Sequence, residues 1–433
     1  MDLTNEVYRA LDNILAASPG ETPGLCEFVQ TAPVAIPDWV FSMRRERIVE
    51  FQRFFGTAAN IFSEAVNGKR TPLLLRLLLN DVPMCYAADF HRALPREAWT
   101  CPRFYRTDES VNGKVFEIQC PGSGWGDLQL LRNFYSNHGH SPALTEYAPS
   151  LAVADEIVNL CSDSSPSVLH LLDNASNPTS MRYLMATTQP PLRYWGQHRS
   201  VRNGDCQFVR SHSFFGLVAE NLFKERLRLA AAGRARFDLP PVLVFDEKIA
   251  LCLPFLDETQ SYFTDAIRNI LTYSHPVFEN GFKDENGQWV SIQDFLKRRP
   301  SERRYFLKYA GCDVALNWGS RGVYRLDDRQ ATIHLTRAVE DSKQDRFWLI
   351  QPEISEKEHI EYFTRSDKGA VQEQLTAKYS CFYGPTQLIG IRTMHRRHYK
   401  VHGQDDTVIG LAVPGYWEER QSPNEDGIEV ERR

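Results

Sequence analysis

Apolar residues recur at helical spacing through the first hundred positions and at strand spacing from Ser301 onward. Val7, Leu11, Ile14 and Leu15 form one apolar stripe, and residues 39–66 carry a longer amphipathic pattern, so 1–100 reads as mainly helical. Residues 19–23 are a Pro/Gly loop. Residues 72–79 open with proline, favourable in a first helical turn, and their leucines belong to a core. Further on, 167–172 is a continuous apolar run, followed by a polar loop at 173–180 and a helix-like segment from Met181. That succession of strand, loop and helix starts an α/β unit. Residues 214–232 predict a helix and 240–245 a buried strand. Strands are then predicted at 304–309, 346–350, 387–393 and 407–413, with a glycine-flexed turn entering a further strand at 318–326, before a charged, frayed tail at 418–433.

The most informative pattern lies at 105–119. Two short alternating runs flank Asn112 and Gly113, the pair that best tolerates the positive φ angles of a two-residue type I′ hairpin. With those two as the loop, Val111 faces Lys114, Asp108 faces Glu117 and Arg106 faces Gln119. Strand side chains alternate, so Arg106, Asp108, Glu117 and Gln119 share one face. Thr107, Phe116 and Ile118 take the other, which suits a core. Carboxylates directly opposite each other repel. A hard divalent cation removes the repulsion, because Mg2+ is commonly held by one or two carboxylates together with substrate phosphates. A wet face, with the two charges repelling weakly through solvent, is the alternative.

Composition sets the limits. The chain has 433 residues, enough for two or three domains. It is 42% hydrophobic and 24% charged, a globular balance that excludes a disordered chain. A net charge of −5 gives no global argument for nucleic acid. No apolar run reaches about 18 residues, so no membrane span is expected. Residues 1–16 lack a signal-peptide pattern. Nine cysteines without a CxxC pair support neither a disulfide framework nor a zinc site, and the expectation is buried thiols in the cytoplasm.

Several segments carry candidate chemistry. The glycine-rich stretch 121–127 is either a phosphate-holding turn or a plain one. Asn174, Ser176 and Ser180 are candidate substrate contacts, or turn and cap residues. In the second half, one strand ends near Lys308, the loop Gly319, Ser320, Arg321 and Gly322 follows, and another strand runs into Gln351, Pro352, Glu353 and Ile354. That order describes a nucleotide clamp. Lys308 would meet phosphate oxygens as a point charge, and the glycine loop would close over them with Arg321 adding charge. Gln351 to Ile354 would form a hinge whose backbone reads adenine and whose Glu353 takes base or ribose. Lys248 is a second phosphate lysine or an ordinary surface one. The basic run 395–400 attracts an anion or is a solvated loop.

Arg106-x-Asp108 and Glu117-x-Gln119, placed about 200 residues before Lys308, resemble the ATP-grasp superfamily, specifically its circularly permuted, glutathionylspermidine-synthase-like branch. The matching segments are 100–130 and 300–395. The family has asparagine where this chain has Gln119. The resemblance implies an α+β, circularly permuted ATP-grasp fold. Its parts would be a helical N-terminal region (1–100), the metal hairpin and start of the grasp sheet (101–150), and an α/β pre-grasp substrate domain (151–250). A nucleotide-binding region (251–416) and a flexible tail (417–433) would follow.

The resemblance also implies ATP and Mg2+ as cofactors. A small-molecule or peptide carboxylate and an amine would be joined into an amide through an acyl phosphate, with no nucleic acid or membrane as partner. Asp108, Glu117 and Gln119 would hold the metal, and Lys308, Lys248, Gly319 to Gly322, Gln351, Glu353 and Ile354 the nucleotide. Arg106 and Arg321 would steady the transferred phosphoryl group, Arg106 having a salt bridge to Asp108 or Glu117 as its alternative. Arg392, with Asn174, Ser176 and Ser180, would contact substrate. The rival functions are a catalytically degenerate nucleotide-binding protein and a phosphotransferase on the same fold.

Overall fold

The computed structural model describes residues 28–80, 101–120, 122, 124–137, 144, 148–161, 166–171, 183–188, 192–196, 206–211, 235–238, 243–245, 247–311, 313–317, 321–364, 369–399 and 406–415. The stripe at 7–15, the loop at 19–23, the helix at 214–232, the tail, and Asn174, Ser176, Ser180, Gly319 and Ser320 lie outside the described residues. The fold is mixed α/β, and among the described residues its strands lie in three larger sheets and a two-stranded one of β10 (Phe282–Lys283) and β11 (Trp289–Val290). Among the described residues no helix is long and apolar enough to cross a membrane.

The largest sheet positions the site. Its strands are β1 (Phe28–Gln30), β2 (Val34–Pro37), β3 (Tyr105–Glu109), β4 (Val115–Gln119), β15 (Glu356–Thr364), β16 (Ala370–Tyr383), β17 (Leu388–Arg396) and β18 (Val408–Gly415). Pairings β15–β1–β18–β17–β16–β15 close a ring of five strands, and β3 and β4 extend from β16. One edge of the long β16 is shared in succession. Residues 370–377 pair with β15, and Tyr379 to Tyr383 pair with β3, so Lys378 sits where the edge changes partner. Strands β15 and β16 are not predicted from the sequence, because their first halves, Glu356 to His359 and Ala370 to Gln374, are mainly polar and lack an apolar alternation.

Helices cover both faces of this sheet: Trp125–Tyr135 and Pro149–Cys161 pack against Phe382, Ile389 and Leu411, and the N-terminal helices cover the opposite face. Residues 39–66 break at Arg47 into helices Asp38–Glu46 and Ile48–Val66, rather than forming one continuous element. In the second helix Phe51, Phe54, Phe55, Ala58, Ile61, Phe62 and Ala65 recur at i, i+3, i+4 spacing and are buried. Burying each phenylalanine stabilises by roughly 1.5–3 kcal/mol. Phe51 and Phe55 pack edge-on against Tyr105, which stacks on Tyr383 at 5.1 Å. The helix Pro72–Leu79 follows, with the Thr71 hydroxyl accepting from Leu74 N–H at 3.2 Å and Asn80 in the left-handed region ending it. Asn80 Oδ1 accepts from Phe347 N–H at 2.8 Å, fastening this helix to a second sheet.

That second sheet is β13 (Val323–Arg325), β12 (Tyr305–Tyr309), β14 (Trp348–Pro352) and β9 (His275–Pro276), in that order. Its period-2 alternation sorts the side chains. Tyr305, Leu307, Tyr309, Trp348 and Ile350 enter a core with helix Ala331–Ser342. Phe306 and Lys308, with their cross-strand partners Gln351 and Val323, line a pocket on the opposite face. Strand β14 runs two residues beyond its predicted end, so Gln351 and Pro352 belong to the strand and not to a hinge. The third sheet, β6 (Arg193–Gly196), β5 (Pro166–Leu171), β7 (Cys206–Ser211) and β8 (Ala235–Phe237), is parallel throughout, as the apolar run at 167–172 led one to expect. Of the strand expected at 240–245, residues 240–242 lie outside the described residues and Leu243–Phe245 form a 3-10 turn.

The hairpin keeps its expected pairing but not its expected turn. Arg106 faces Gln119 and Asp108 faces Glu117, yet Glu109 faces Val115. Gly113 N–H donates to Ser110 C=O and Ser110 N–H to Lys114 C=O, so the loop has three residues. Gly113 has φ +81°, while Asn112 is not in the positive-φ region, which rules out type I′. The loop shifts the register by one, and a bulge beside Phe116 shifts it back before Glu117. Phe116 accordingly joins Glu117 in the pocket and is absent from the core that takes Val115 and Ile118.

Candidate functional site

The face of β3, β4 and β16 turned away from helix Ile48–Val66 carries a buried ion cluster, beside the packing of Trp125 on Phe382. Asp108 is fully buried and accepts four hydrogen bonds. Oδ1 takes Arg106 Nε at 3.0 Å and the Ser380 hydroxyl at 2.8 Å. Oδ2 takes Arg106 Nη2 at 3.2 Å and Lys378 Nζ at 2.8 Å. Ser380 and Lys378 reach Asp108 because β16 and β3 pair antiparallel with Ser380 directly opposite it. Arg106 is buried behind this cluster with its guanidinium 5.9 Å from the centre of the Phe382 ring. The salt bridge to Asp108, read from the sequence as its alternative role, is the geometry found.

Glu117, across from Asp108, faces the pocket. Lys248, at the start of the 3-10 segment Lys248–Phe255, lies 3.5 Å from Glu117 Oε1. Burial works to raise the Glu117 pKa, but Lys248, Lys308 and Lys378 together overcome it, and the carboxyl sits below its ordinary value despite Asp108. Lys308 comes from the second sheet, where its Nζ donates to Phe116 C=O at 3.1 Å and to Gln351 Oε1 at 2.6 Å. Gln351 is fixed in turn by donating to Ser274 Oγ at 2.9 Å. Burial lowers the Lys308 pKa to about 8, against the pull of Glu117. Burial likewise lowers Lys378, which Asp108 partly restores.

Glu117, Lys248, Lys308, Gln351 and Lys378 line one open pocket. The lining also includes apolar Phe306, Val323, Pro352, Ile354 and Tyr399, with Phe306 and Val323 next to Lys308. Phe306 and Tyr399 have ring centres 5.5 Å apart, and the Arg325 guanidinium lies 5.0 Å from the Tyr399 ring. Arg325 also holds Glu353 at 3.0 Å, with Arg304 at 3.5 Å and the Ser355 hydroxyl at 2.6 Å. Glu353 is thus committed to ion pairs beside the pocket and does not line it, contrary to the expected role on base or ribose.

Of the residues singled out from the sequence, Glu117, Lys248, Lys308, Gln351 and Ile354 meet in this pocket. Arg321 is exposed and does not line it. Gly322 is buried in backbone bonds to Leu316 and Tyr309. Arg392 stands opposite Ser380 on β17, on the face of Asp108, but its guanidinium is paired with Asp127. Within the basic run three side chains are paired, and Lys400 lies outside the described residues. His395 bonds Gln30 and Glu358, Arg396 pairs with Asp406 and Arg397 with Glu373, leaving Tyr399 to the pocket.

The expected metal trio needs a correction. An ionised carboxylate has about four acceptor sites, and the contacts from Arg106, Lys378 and Ser380 use those of Asp108. Gln119 is half-buried opposite Arg106. Asp108, Glu117 and Gln119 as they stand do not fit a divalent cation. Sequence reasoning missed the reason, Lys378. Its signal was a lysine inside the otherwise uncharged run from Leu375 to Tyr383.

No family model matches the sequence, and no curated protein matches it. Among solved structures, a glutathione synthetase-like effector from Globodera pallida, in its apo form, aligns with a TM-score of 0.49 and 11% identity over 95% of this chain and 97% of that one. A provisionally named gamma-glutamylcysteine synthetase from Methylobacillus flagellatus aligns with a TM-score of 0.30 and 10% identity, over 79% of this chain and 84% of the other.

Proposed function

We propose that the pocket binds ATP, with the base between Phe306, Ile354 and Tyr399 and the phosphates toward Lys248, Lys308 and Lys378, and that the chain is an ATP-dependent carboxylate–amine ligase. The observation that carries this reading is the convergence of three lysines from three separate elements on one pocket that also has apolar and aromatic lining. Purine nucleotides likewise combine a flat apolar base and a polyanion. Phosphoryl transfer asks the protein for positioning and charge stabilisation more than for covalent help. Lys308 and Lys248 would steady the γ-phosphoryl group as its bond to the β-phosphate oxygen breaks and a carboxylate oxygen takes it. The amine then attacks the acyl carbon, phosphate leaves with the electron pair of the acyl C–O bond, and the nitrogen gives up a proton. Arg106 acts here as a positioning residue, because it holds Asp108 and lies behind the cluster.

A second reading, a nucleotide-binding protein without turnover, is favoured by the complete commitment of Asp108 to internal partners. Hydroxylamine trapping separates the two. Incubation with ATP, a panel of carboxylic acids and hydroxylamine should release ADP and form a hydroxamate if an acyl phosphate is made. ATP binding with neither product supports the second reading. A stable phosphorylated product without hydroxamate marks a phosphotransferase.

A further inference from the structure

Four cationic side chains, Arg106, Lys248, Lys308 and Lys378, surround two carboxylates, Asp108 and Glu117. Each carboxylate already has a cation in contact, Asp108 through Arg106 and Lys378 and Glu117 through Lys248. The repulsion that a hairpin register imposes on opposed carboxylates is therefore removed by the chain itself. Among these six groups the cations outnumber the carboxylates, and Lys248, Lys308 and Lys378 line the pocket. A divalent cation entering at Asp108 would have to displace Lys378 or Arg106, both buried.

We infer that this pocket binds a polyphosphate without a divalent metal, Lys378 occupying the place beside Asp108 that a bridging cation would take. The inference rests on reading the pocket as a nucleotide site, and it names the ionic form that the site accepts. Mg2+ then acts on the ligand in solution and not on the protein. It neutralises phosphate charges that the lysines would otherwise meet, so it weakens binding or leaves it unchanged. A site that holds metal through Asp108 and Glu117 responds in the opposite direction. Lys308 keeps its proton at neutral pH, since burial lowers its pKa only to about 8.

The test is calorimetric titration of the full chain with ATP and with inorganic tripolyphosphate, once in EDTA and once in excess Mg2+. Binding of either ligand in EDTA, not strengthened by Mg2+, is the expected result. Binding that Mg2+ strengthens, or that occurs only with Mg2+, overturns the inference and leaves the nucleotide reading standing. Tripolyphosphate bound without ATP keeps the inference and overturns the nucleotide reading. No binding of either ligand in either buffer overturns both. The variant Lys378→Gln, which frees one acceptor site on Asp108, should lose tenfold or more in EDTA affinity and gain a strengthening response to Mg2+. Unchanged EDTA affinity in that variant would remove Lys378 from the site. Should it fail to fold, the wild-type comparison decides alone.

Discussion

Lys378 Nζ lies 2.8 Å from Asp108 Oδ2, two charges buried together where the edge of β16 passes from β15 to β3. The two partners carry unequal burdens. Asp108 serves both Lys378 and Arg106, whereas Lys378 serves only one of the two carboxylates at this hydrogen-bond distance. Replacing Asp108 with asparagine leaves two buried cations short of a counter-charge, and breaking a buried pair in this way costs about 3–5 kcal/mol. Lys378→Met leaves Asp108 with Arg106 and Ser380, so its loss should be smaller. Urea unfolding of both variants checks the ranking. Equal losses would mean that Arg106 alone does not sustain Asp108.

Lys308 gives a pH signature with opposite signs for binding and stability. Its pKa is lowered to about 8 in the folded chain from an ordinary value of 10.5. Phosphate affinity needs the protonated form, so ATP affinity should be flat below about pH 7 and fall as pH rises through 8. Stability runs the other way. Between about 8 and 10.5 the unfolded chain binds the extra proton, so this group's contribution to stability rises with pH. A shift of this size is worth on the order of 3 kcal/mol. Lys308→Met should therefore unfold at the same temperature or higher at neutral pH while losing ATP binding. Calorimetry across pH 6 to 9 and thermal melts of the variant test both halves. A variant that melts lower would show that Lys308 supports Gln351 and Phe116 more than its burial costs.

Glu109 supplies a control on the other face of β3. It accepts from Arg44 Nε at 3.0 Å, Arg47 Nη1 at 3.2 Å and the Thr107 hydroxyl at 2.7 Å. This pair ties helix Asp38–Glu46 to the hairpin, and Arg44 and Glu109 are wholly buried. Glu109→Gln should destabilise by about 3 kcal/mol, because it strands the Arg44 charge. It should leave the ATP dissociation constant within twofold, since no pocket residue touches it. A large change in affinity would mean that the β3–β4 pairing itself moves when its helix contact is lost.

The parts of the site legible in the sequence were those set by alternation. Asp108 opposite Glu117 follows from period 2 and a turn near Asn112, and Lys308 and Gln351 fall on one face of adjacent strands for the same reason. Long-range pairing was not legible. Lys378 reads as an ordinary solvated lysine until β16 is placed beside β3, a contact spanning 270 residues. Glu353 and Arg392 failed for a related reason. Each has the right residue type for a ligand, but Arg325 and Asp127 reach it first, and no local pattern marks those partners.

The hairpin turn offers the last test, because two errors in the expected geometry cancelled. A type I′ turn puts both Asn112 and Gly113 at positive φ, whereas here only Gly113 is, at +81°. A Cβ on Gly113 would lie 2.9 Å from Arg47 Nη2 and 3.1 Å from Met43 Cε, and Arg47 Nη1 donates to Gly113 C=O at 2.7 Å. Gly113→Ala therefore combines left-handed strain, roughly 1–2 kcal/mol, with displacement of an arginine that also holds Glu109. Asn112 is exposed and bonds Glu356 through its side chain and its N–H, so Asn112→Ala should cost no more than about 0.5 kcal/mol. The prediction is a loss of about 2 kcal/mol for Gly113→Ala against a near-neutral Asn112→Ala, read from chemical unfolding. Comparable losses at both positions would indicate a type I′ turn in solution. The bulge at Phe116 would then vanish, and Phe116 would leave the pocket for the core.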